Sequence, residues 1–373
     1  MSFVTLNAKK LQHNYHHLNT LFRTHDIEWA IVAKVLCGNE TFLREVIKLG
    51  TKEICDSRIS NLKAIKKIDP QVQTVYIKPP AKRMIQNVIR YADVSFNTEY
   101  DTILALSNEA AQQHKTHKIV IMIEMGELRE GVMREEFLDF YEKVFGLPNI
   151  RIVGIGTNLT CMYGVLPNHD KLIQLCLYKQ LVEAKFQKKI PYISGGASVT
   201  IPLIDKHLLP HGVNHFRIGE TLFLGTDVYH NCTFENMHND VFKLYAEIIE
   251  LNEKPKVPIG ELGHNLSGDQ LNFDQNNPGE KGYRAIVDIG LLDIEPSHLQ
   301  PVSENVSIVG ASSDMLVLDV KDNPEHLKVG DLVAFKMDYM GLLRVMNSSY
   351  VDKIIEENLH VEEQKHTAKA WIN

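Results

Sequence analysis

The sequence predicts an α/β protein, a (β/α)8 TIM barrel followed by a C-terminal β-rich domain. Two observations carry this reading. Up to about residue 225, short apolar runs rich in β-branched residues alternate with longer amphipathic segments, as successive β-α units require. After about residue 235 the strand-like runs continue but the helices between them stop. A length of 373 residues suits two domains better than one, and the expected boundaries are 1–235 for the barrel and 236–373 for the β-rich domain.

Eight runs read as barrel strands: 29–35, 53–56, 74–77, 94–96, 119–123, 152–156, 192–194 and 215–219. Each is short, and turn-forming or polar residues bound it. Between them, 41–49, 60–68, 81–91, 99–114, 134–145 and 171–187 place apolar residues three or four apart, the spacing of a helix with one buried face. Beyond the barrel, 243–251, 283–289, 306–309, 315–320 and 332–336 read as strands without intervening helices. The stretch 252–282, rich in Asn, Gly, Pro and acidic residues, reads as a long loop. The end of the chain, 352–373, reads as an amphipathic helix and then a tail.

Composition narrows the function classes. The net charge is −7, from 47 acidic and 40 basic residues without long blocks of one sign. That pattern lacks the basic patch of a nucleic-acid binder and favours a small-molecule partner. No run of about 18 apolar residues occurs and the N-terminus has no signal-like core, so a cytoplasmic protein without a membrane partner is expected. The five cysteines, at 37, 55, 161, 176 and 232, form no C-x-x-C pair and have no metal-like spacing to histidine. Free thiols in a reducing compartment are the simplest reading.

In a TIM barrel the reactive groups sit at the C-terminal ends of the strands, and phosphate is often held by the loops after the seventh and eighth. The first strand ends in Ala33-Lys34-Val35. An ammonium buried there without a partner would cost several kcal/mol, whereas a lysine that condenses with a carbonyl escapes that cost. A lysine snorkelling to the surface would fit the position equally well. The seventh strand runs into Ser194-Gly195-Gly196-Ala197-Ser198 and the eighth into Arg217-Ile218-Gly219-Glu220. A glycine pair that exposes N–H groups, with hydroxyls beside it, suits a phosphate dianion. Each segment alone is more often a plain turn or a salt bridge. Their joint placement with Lys34 carries the signal.

These segments, with Asp56-Ser57-Arg58, Gly126-Glu127-Leu128-Arg129-Glu130-Gly131 and Gly156-Thr157-Asn158-Leu159-Thr160-Cys161, resemble the fold-type III pyridoxal 5'-phosphate (PLP) enzymes. Within these the closest resemblance is to the alanine/ornithine racemase family. It extends into the β-domain, through Gly310-Ala311-Ser312-Ser313-Asp314-Met315 and Lys328-Val329-Gly330-Asp331-Leu332-Val333. The resemblance implies a racemase of an amino acid such as ornithine, lysine or alanine, acting as a homodimer. It implies that Lys34 holds the PLP and moves the α-proton on one face. Arg217 would face the pyridine nitrogen and keep the ring a weaker electron sink, and Arg129 would lie near the cofactor's phenolic oxygen or the substrate carboxylate. Ser194, Gly195, Gly196, Ile218 and Gly219 would hold the phosphate, and Asn158 would line the pocket.

One departure stands out. The family's second acid/base is a Tyr of the partner's β-domain, and its place here is taken by Leu291. Asp293, Asp314, Cys161 and Tyr339 are the alternative candidates for that role. Asp293, Asp314 and Glu220 also offer carboxylates to a distal ammonium, which favours a basic substrate. A decarboxylase or aldolase of the same fold type, or a non-catalytic PLP-binding protein, is the alternative reading. The β-domain argues against the last, because such proteins end with the barrel.

Overall fold

The computed structural model describes residues 2–264, 268 and 280–358. The chain divides into two compact units, Lys9–Asn239 and Met1–Ala8 together with Asp240–Asn373. The first strand, β1 (Phe3–Leu6), therefore leaves the barrel predicted for residues 1–235. It pairs antiparallel with residues 242–245 and parallel with residues 352–355. Its Val4 and Leu6 are fully buried. Partners more than two hundred residues away leave no local signal.

The barrel unit contains β2 (Glu28–Val32), β3 (Glu53–Asp56), β4 (Gln73–Tyr76), β5 (Val94–Asn97), β6 (His117–Met122), β7 (Ile150–Gly156), β8 (Tyr192–Ser194), β9 (Gly196–Ala197) and β10 (His215–Ile218). The ladder runs β8-β7-β6-β5-β4-β3-β2-β10-β9, and its strand pairs are parallel. Its two ends, β8 and β9, are separated only by Gly195, so the sheet closes on itself as a TIM-like barrel. The eight predicted strands are all present, the seventh split at Gly195. Gly196 is required by packing: a Cβ there would lie 2.2 Å from the Phe216 ring.

Alternation along each strand sends one set of side chains inward. Ala30, Val32, Cys55, Val75, Val94, Phe96, Val120, Met122 and Val153 form a buried cluster, each large apolar side chain contributing about 1.5–3 kcal/mol on burial. The helices Glu40–Lys48, Ile59–Ile68, Ile85–Tyr91, Tyr100–Gln112, Phe137–Phe145 and His169–Phe186 follow the predicted segments closely. An additional helix, Ala8–Thr24, precedes β2 and buries Leu11, Tyr15, Leu18 and Phe22, three or four residues apart. In the same unit, β11 (Thr226–Asp227) and β12 (Cys232–Thr233) form a small hairpin.

The second unit contains β13 (Phe242–Pro255), β14 (Lys281–Val287), β15 (Leu299–Pro301), β16 (Ser307–Ala311), β17 (Leu316–Asp319), β18 (Leu332–Met337) and β19 (Asp352–Ile355). They form one sheet in the order β15-β18-β13-β14-β17-β16, with β1 joining β13 to β19. Two expectations change. The long loop predicted for 252–282 gives up its ends to β13 and β14, because these residues pair with one another from Asn252↔Arg284 to Pro255↔Lys281. The predicted helix from 352 begins instead as β19, which finds a partner in β1, and its remainder from 359 lies outside the described residues. A helix the sequence reading lacked, Tyr339–Asn347, starts on an Asp338 cap that accepts from Gly341 N. No described helix is long and apolar enough to cross a membrane.

Candidate active site

Lys34 stands just past the end of β2, in a 3-10 turn, Ala33–Leu36, rather than in the strand itself. The chain must reverse at once to start the next helix, whose Asn39 cap accepts from Phe42 N. Cys37 and Gly38 accomplish this with φ of 50° and 77°. A Cβ on Gly38 would meet Asn61 Oδ1 at 2.6 Å. Asn61 in turn donates to both oxygens of Asp56, the last residue of β3, and Arg58 N donates to Asp56 Oδ1 at 2.8 Å. Burial pushes the Asp56 carboxyl up to about 6, against the lowering effect of these hydrogen bonds and of the Lys34 charge. Lys34 and Asp56 thus occupy adjacent strand ends and sense each other's charge.

Arg217 lies inside the barrel on β10. Its Nη1 donates to Ser194 O at 2.7 Å and Ser194 Oγ at 2.5 Å, and its Nη2 donates to Thr157 O at 2.8 Å. Its guanidinium also rests 5.3 Å from the centre of the Phe96 ring. These bonds use three of the five N–H groups and bring together the ends of β7, β8 and β10. All three acceptors are neutral, and burial lowers the arginine's pKa.

The loops after β6 and β7 are tied by a carboxylate that sequence reasoning did not single out. Glu127, 1% exposed, accepts from Thr160 N, Cys161 N, Met162 N, Tyr163 N and Val165 N. Burial alone would raise its pKa, but these N–H groups outweigh that and hold the carboxyl near 2. The pattern has no signature in sequence, because the five donors are backbone. A depressed carboxylate stabilises the fold above its unfolded value of 4.5, and this is lost as pH falls through about 2. Glu127→Gln should leave two or three N–H groups facing an amide donor, at a cost of about 2–4 kcal/mol. Hydrogen exchange of amides 160–165 checks this, and in the wild type the same amides should lose protection only between about pH 4 and pH 2.

Arg129 follows Glu127 and is held by Glu130 and by the Cys161 thiol. The hydrogen bond to Glu130 is the main reason its pKa rises. Both Arg129 and Glu130 act on the charge of Arg217, so they belong to the same mouth. Asn158 follows Thr157 and is half-buried. Its side-chain amide has no hydrogen-bond partner among the described residues.

The residues expected to hold phosphate fall into two kinds. Gly195 joins β8 to β9, Gly196 begins β9, Ile218 ends β10 and Gly219 follows it, just before short helical turns that begin at Ser198 and Glu220. Thr221 N donates to Ser198 Oγ and so joins the two turns. The glycines are small for packing reasons: added Cβ atoms at 195, 196 and 219 would lie 3.2 Å from Leu172, 2.2 Å from Phe216 and 3.0 Å from Val32 O. Ser194 is occupied elsewhere, its hydroxyl lying between Arg217 and His215.

Among the candidates for a second acid/base, Cys161 is in the barrel unit beside Arg129, and Asp293, Asp314 and Tyr339 are in the β unit. Asp293 accepts from Ser348 Oγ, and Asp314 accepts from Ser312 and Ser313. Leu291 N donates to Ser312 O and Leu292 N to Ser313 O, so the Leu291 turn and the Asp314 turn are bound together. A Cβ on Gly290 would lie 2.5 Å from Asp314 N.

The donor set fits PLP. An amine stands at the strand ends, a buried arginine and a neighbouring half-buried amide keep N–H groups without a partner among the described residues, and two short helical turns adjoin where phosphate is expected. A barrel with these groups at its strand ends has the make-up of a fold-type III PLP enzyme. The profile of the alanine racemase N-terminal domain matches residues 6–227, and the chain belongs to that family. Ornithine racemase of Acetoanaerobium sticklandii is 37% identical over 353 residues, 94% of this chain and 98% of that protein. Lysine racemase of Thermotoga maritima is 31% identical, over 95% of this chain and 98% of that one. Among solved structures, alanine racemase of Clostridium difficile 630 superposes with a TM-score of 0.73 at 16% identity, covering 96% of each chain. That of Bartonella henselae, with covalently bound pyridoxal phosphate, gives 0.71 at 15% identity, over 95% and 99%.

Proposed function

We propose that this protein is a PLP-dependent racemase of a basic amino acid, ornithine or lysine. The observation that carries the reading is near-full-length similarity to an ornithine and a lysine racemase, supported by a barrel with Lys34 just past the end of one strand and Arg217 on the adjacent one. When bound, PLP supplies a conjugated electron sink that makes the α-hydrogen of an amino acid acidic. Lys34 anchors the cofactor and exchanges the α-proton on one side. With the cofactor bound, Arg217, which stays protonated, would give one of its remaining N–H groups to the ring nitrogen and so leave that nitrogen without a proton of its own. Arg129, neutralised by Glu130, orients the substrate carboxylate or the cofactor oxygen. The turns at 195–198 and 218–221 hold the phosphate, and Asn158 lines the cavity.

A homodimer suits this reading. Leu128, Met162 and Tyr163 are 68%, 59% and 63% exposed on the loops after β6 and β7, and a second copy would cover them. Free cysteines suit the reducing cytoplasm. The direct test is chiral chromatography, with α-deuterium exchange in heavy water, on ornithine, lysine, alanine and serine. Loss of optical purity should be fastest for ornithine or lysine. Exchange with alanine alone would overturn the substrate, and carbon dioxide or aldehyde release without exchange would overturn the reaction.

A further inference from the structure

Below Arg217 the barrel interior holds polar groups that the proposed chemistry does not use. Ser194 Oγ lies 2.7 Å from His215 Nδ1, and His215 Nε2 lies 3.3 Å from Glu53 Oε1. Gln73 Nε2 donates to the other Glu53 oxygen at 2.6 Å. Ser194, His215 and Arg217 are 0%, 5% and 7% exposed. His215 and Arg217 are two apart on β10 and so face the same side of the sheet. The polar chain therefore runs from the N-terminal end of β3 up to the guanidinium.

The direction of each bond follows from donor chemistry. A guanidinium only donates, so Ser194 Oγ accepts from Arg217. The single serine proton is then available to His215 Nδ1. Glu53 Oε1 lies at ion-pair distance from Nε2, and a carboxylate there favours a proton on the nitrogen that faces it. The Nε2–H tautomer satisfies every group, whereas the opposite one would turn a bare Nε2 lone pair toward Glu53.

We infer that Glu53, His215 and Ser194 form a positioning relay for Arg217, fixing the guanidinium from beneath so that its remaining N–H groups serve the site. The inference rests on the reading of Arg217 as the partner of the cofactor's ring nitrogen. Held by the Ser194 and Thr157 carbonyls alone, the guanidinium could rock about the line between them. The serine bond, itself oriented by a histidine that a carboxylate holds, removes that freedom. A misplacement of the order of 1 Å is enough to change reaction rates by orders of magnitude.

The test uses the holoenzyme. Long-range 15N–1H correlation spectra, with His215→Asn for assignment, should show His215 with a protonated Nε2 and a bare Nδ1. The ratio of racemisation to transamination should fall about tenfold in Ser194→Ala and in His215→Leu. His215→Asn, whose amide oxygen can stand in for Nδ1, should recover most of the ratio even if its melting temperature drops as far as that of His215→Leu. The inference is overturned if the proton lies on Nδ1, if the Asn variant partitions no better than the Leu variant, or if Ser194→Ala leaves the partition unchanged. Absence of racemisation in the wild type, with the tautomer as expected, would instead overturn the proposed function.

Discussion

Lys34→Ala should abolish racemisation while leaving the protein folded. Proton transfer by a placed base contributes about 10²–10⁴-fold, and the same side chain anchors the cofactor, so the loss should exceed that range. The structure makes the substitution clean. The turn that carries Lys34 is held by Ala33, Val35 and Leu36, all fully buried, and by the Cys37 N to Lys34 O hydrogen bond. None of these depends on the ammonium. The measurements are the absorbance of the cofactor near the visible edge, turnover, and the melting temperature. The first two should be lost and the third should hold within a few degrees. Turnover near the wild-type rate would remove Lys34 from the mechanism and with it the proposed function.

Arg217→Glu should impair both chemistry and folding. Considered in sequence, the change would simply protonate the ring nitrogen, slow racemisation and raise side reactions. The structure adds a larger effect. The arginine's partners are Ser194 O, Ser194 Oγ and Thr157 O, and a carboxylate in its place would face two carbonyl oxygens with the serine hydroxyl as its one donor among them. Glu53 and Glu130 are already close enough to act on this position. Leaving a buried charge uncompensated costs about 3–5 kcal/mol, a large part of a typical domain's stability. Chemical denaturation of the variant and of Arg217→Lys separates the two effects. The lysine keeps the charge but cannot bridge Ser194 and Thr157, so it should lose less stability and still partition poorly between racemisation and transamination. A glutamate variant as stable as the wild type would show that the buried bonds are dispensable.

Much of this architecture was legible before any coordinates. The barrel strands are short β-branched runs between helices of regular spacing, and both periods are local properties of the chain. Lys34, Arg217 and the glycine turns stand out as candidates because a barrel collects its chemistry at strand ends, and the family resemblance adds Arg129 and Asn158. What stayed hidden involves groups far apart in sequence. Glu127 has no role assigned from sequence until five backbone N–H groups from 160–165 converge on it. Ser194 reads as a phosphate ligand until Arg217 and His215 close on its hydroxyl. Gly196 reads as an exposed N–H donor until the Phe216 ring occupies the space a Cβ would need.

Periodicity and collinear motifs, written along the chain, carry most of the element order, the change from barrel to β-rich sheet and the family to which the chain belongs. Closure of the sheets settles the rest: β1 serves the second unit, Lys34 sits in a tight turn just past the strand next to that of Asp56, and a Glu53–His215–Ser194 chain lies under Arg217. These depend on backbone groups and side chains from strands that are neighbours in the closed sheet but distant in sequence. A hydrogen bond's partner is fixed by that closure, and no single segment records it.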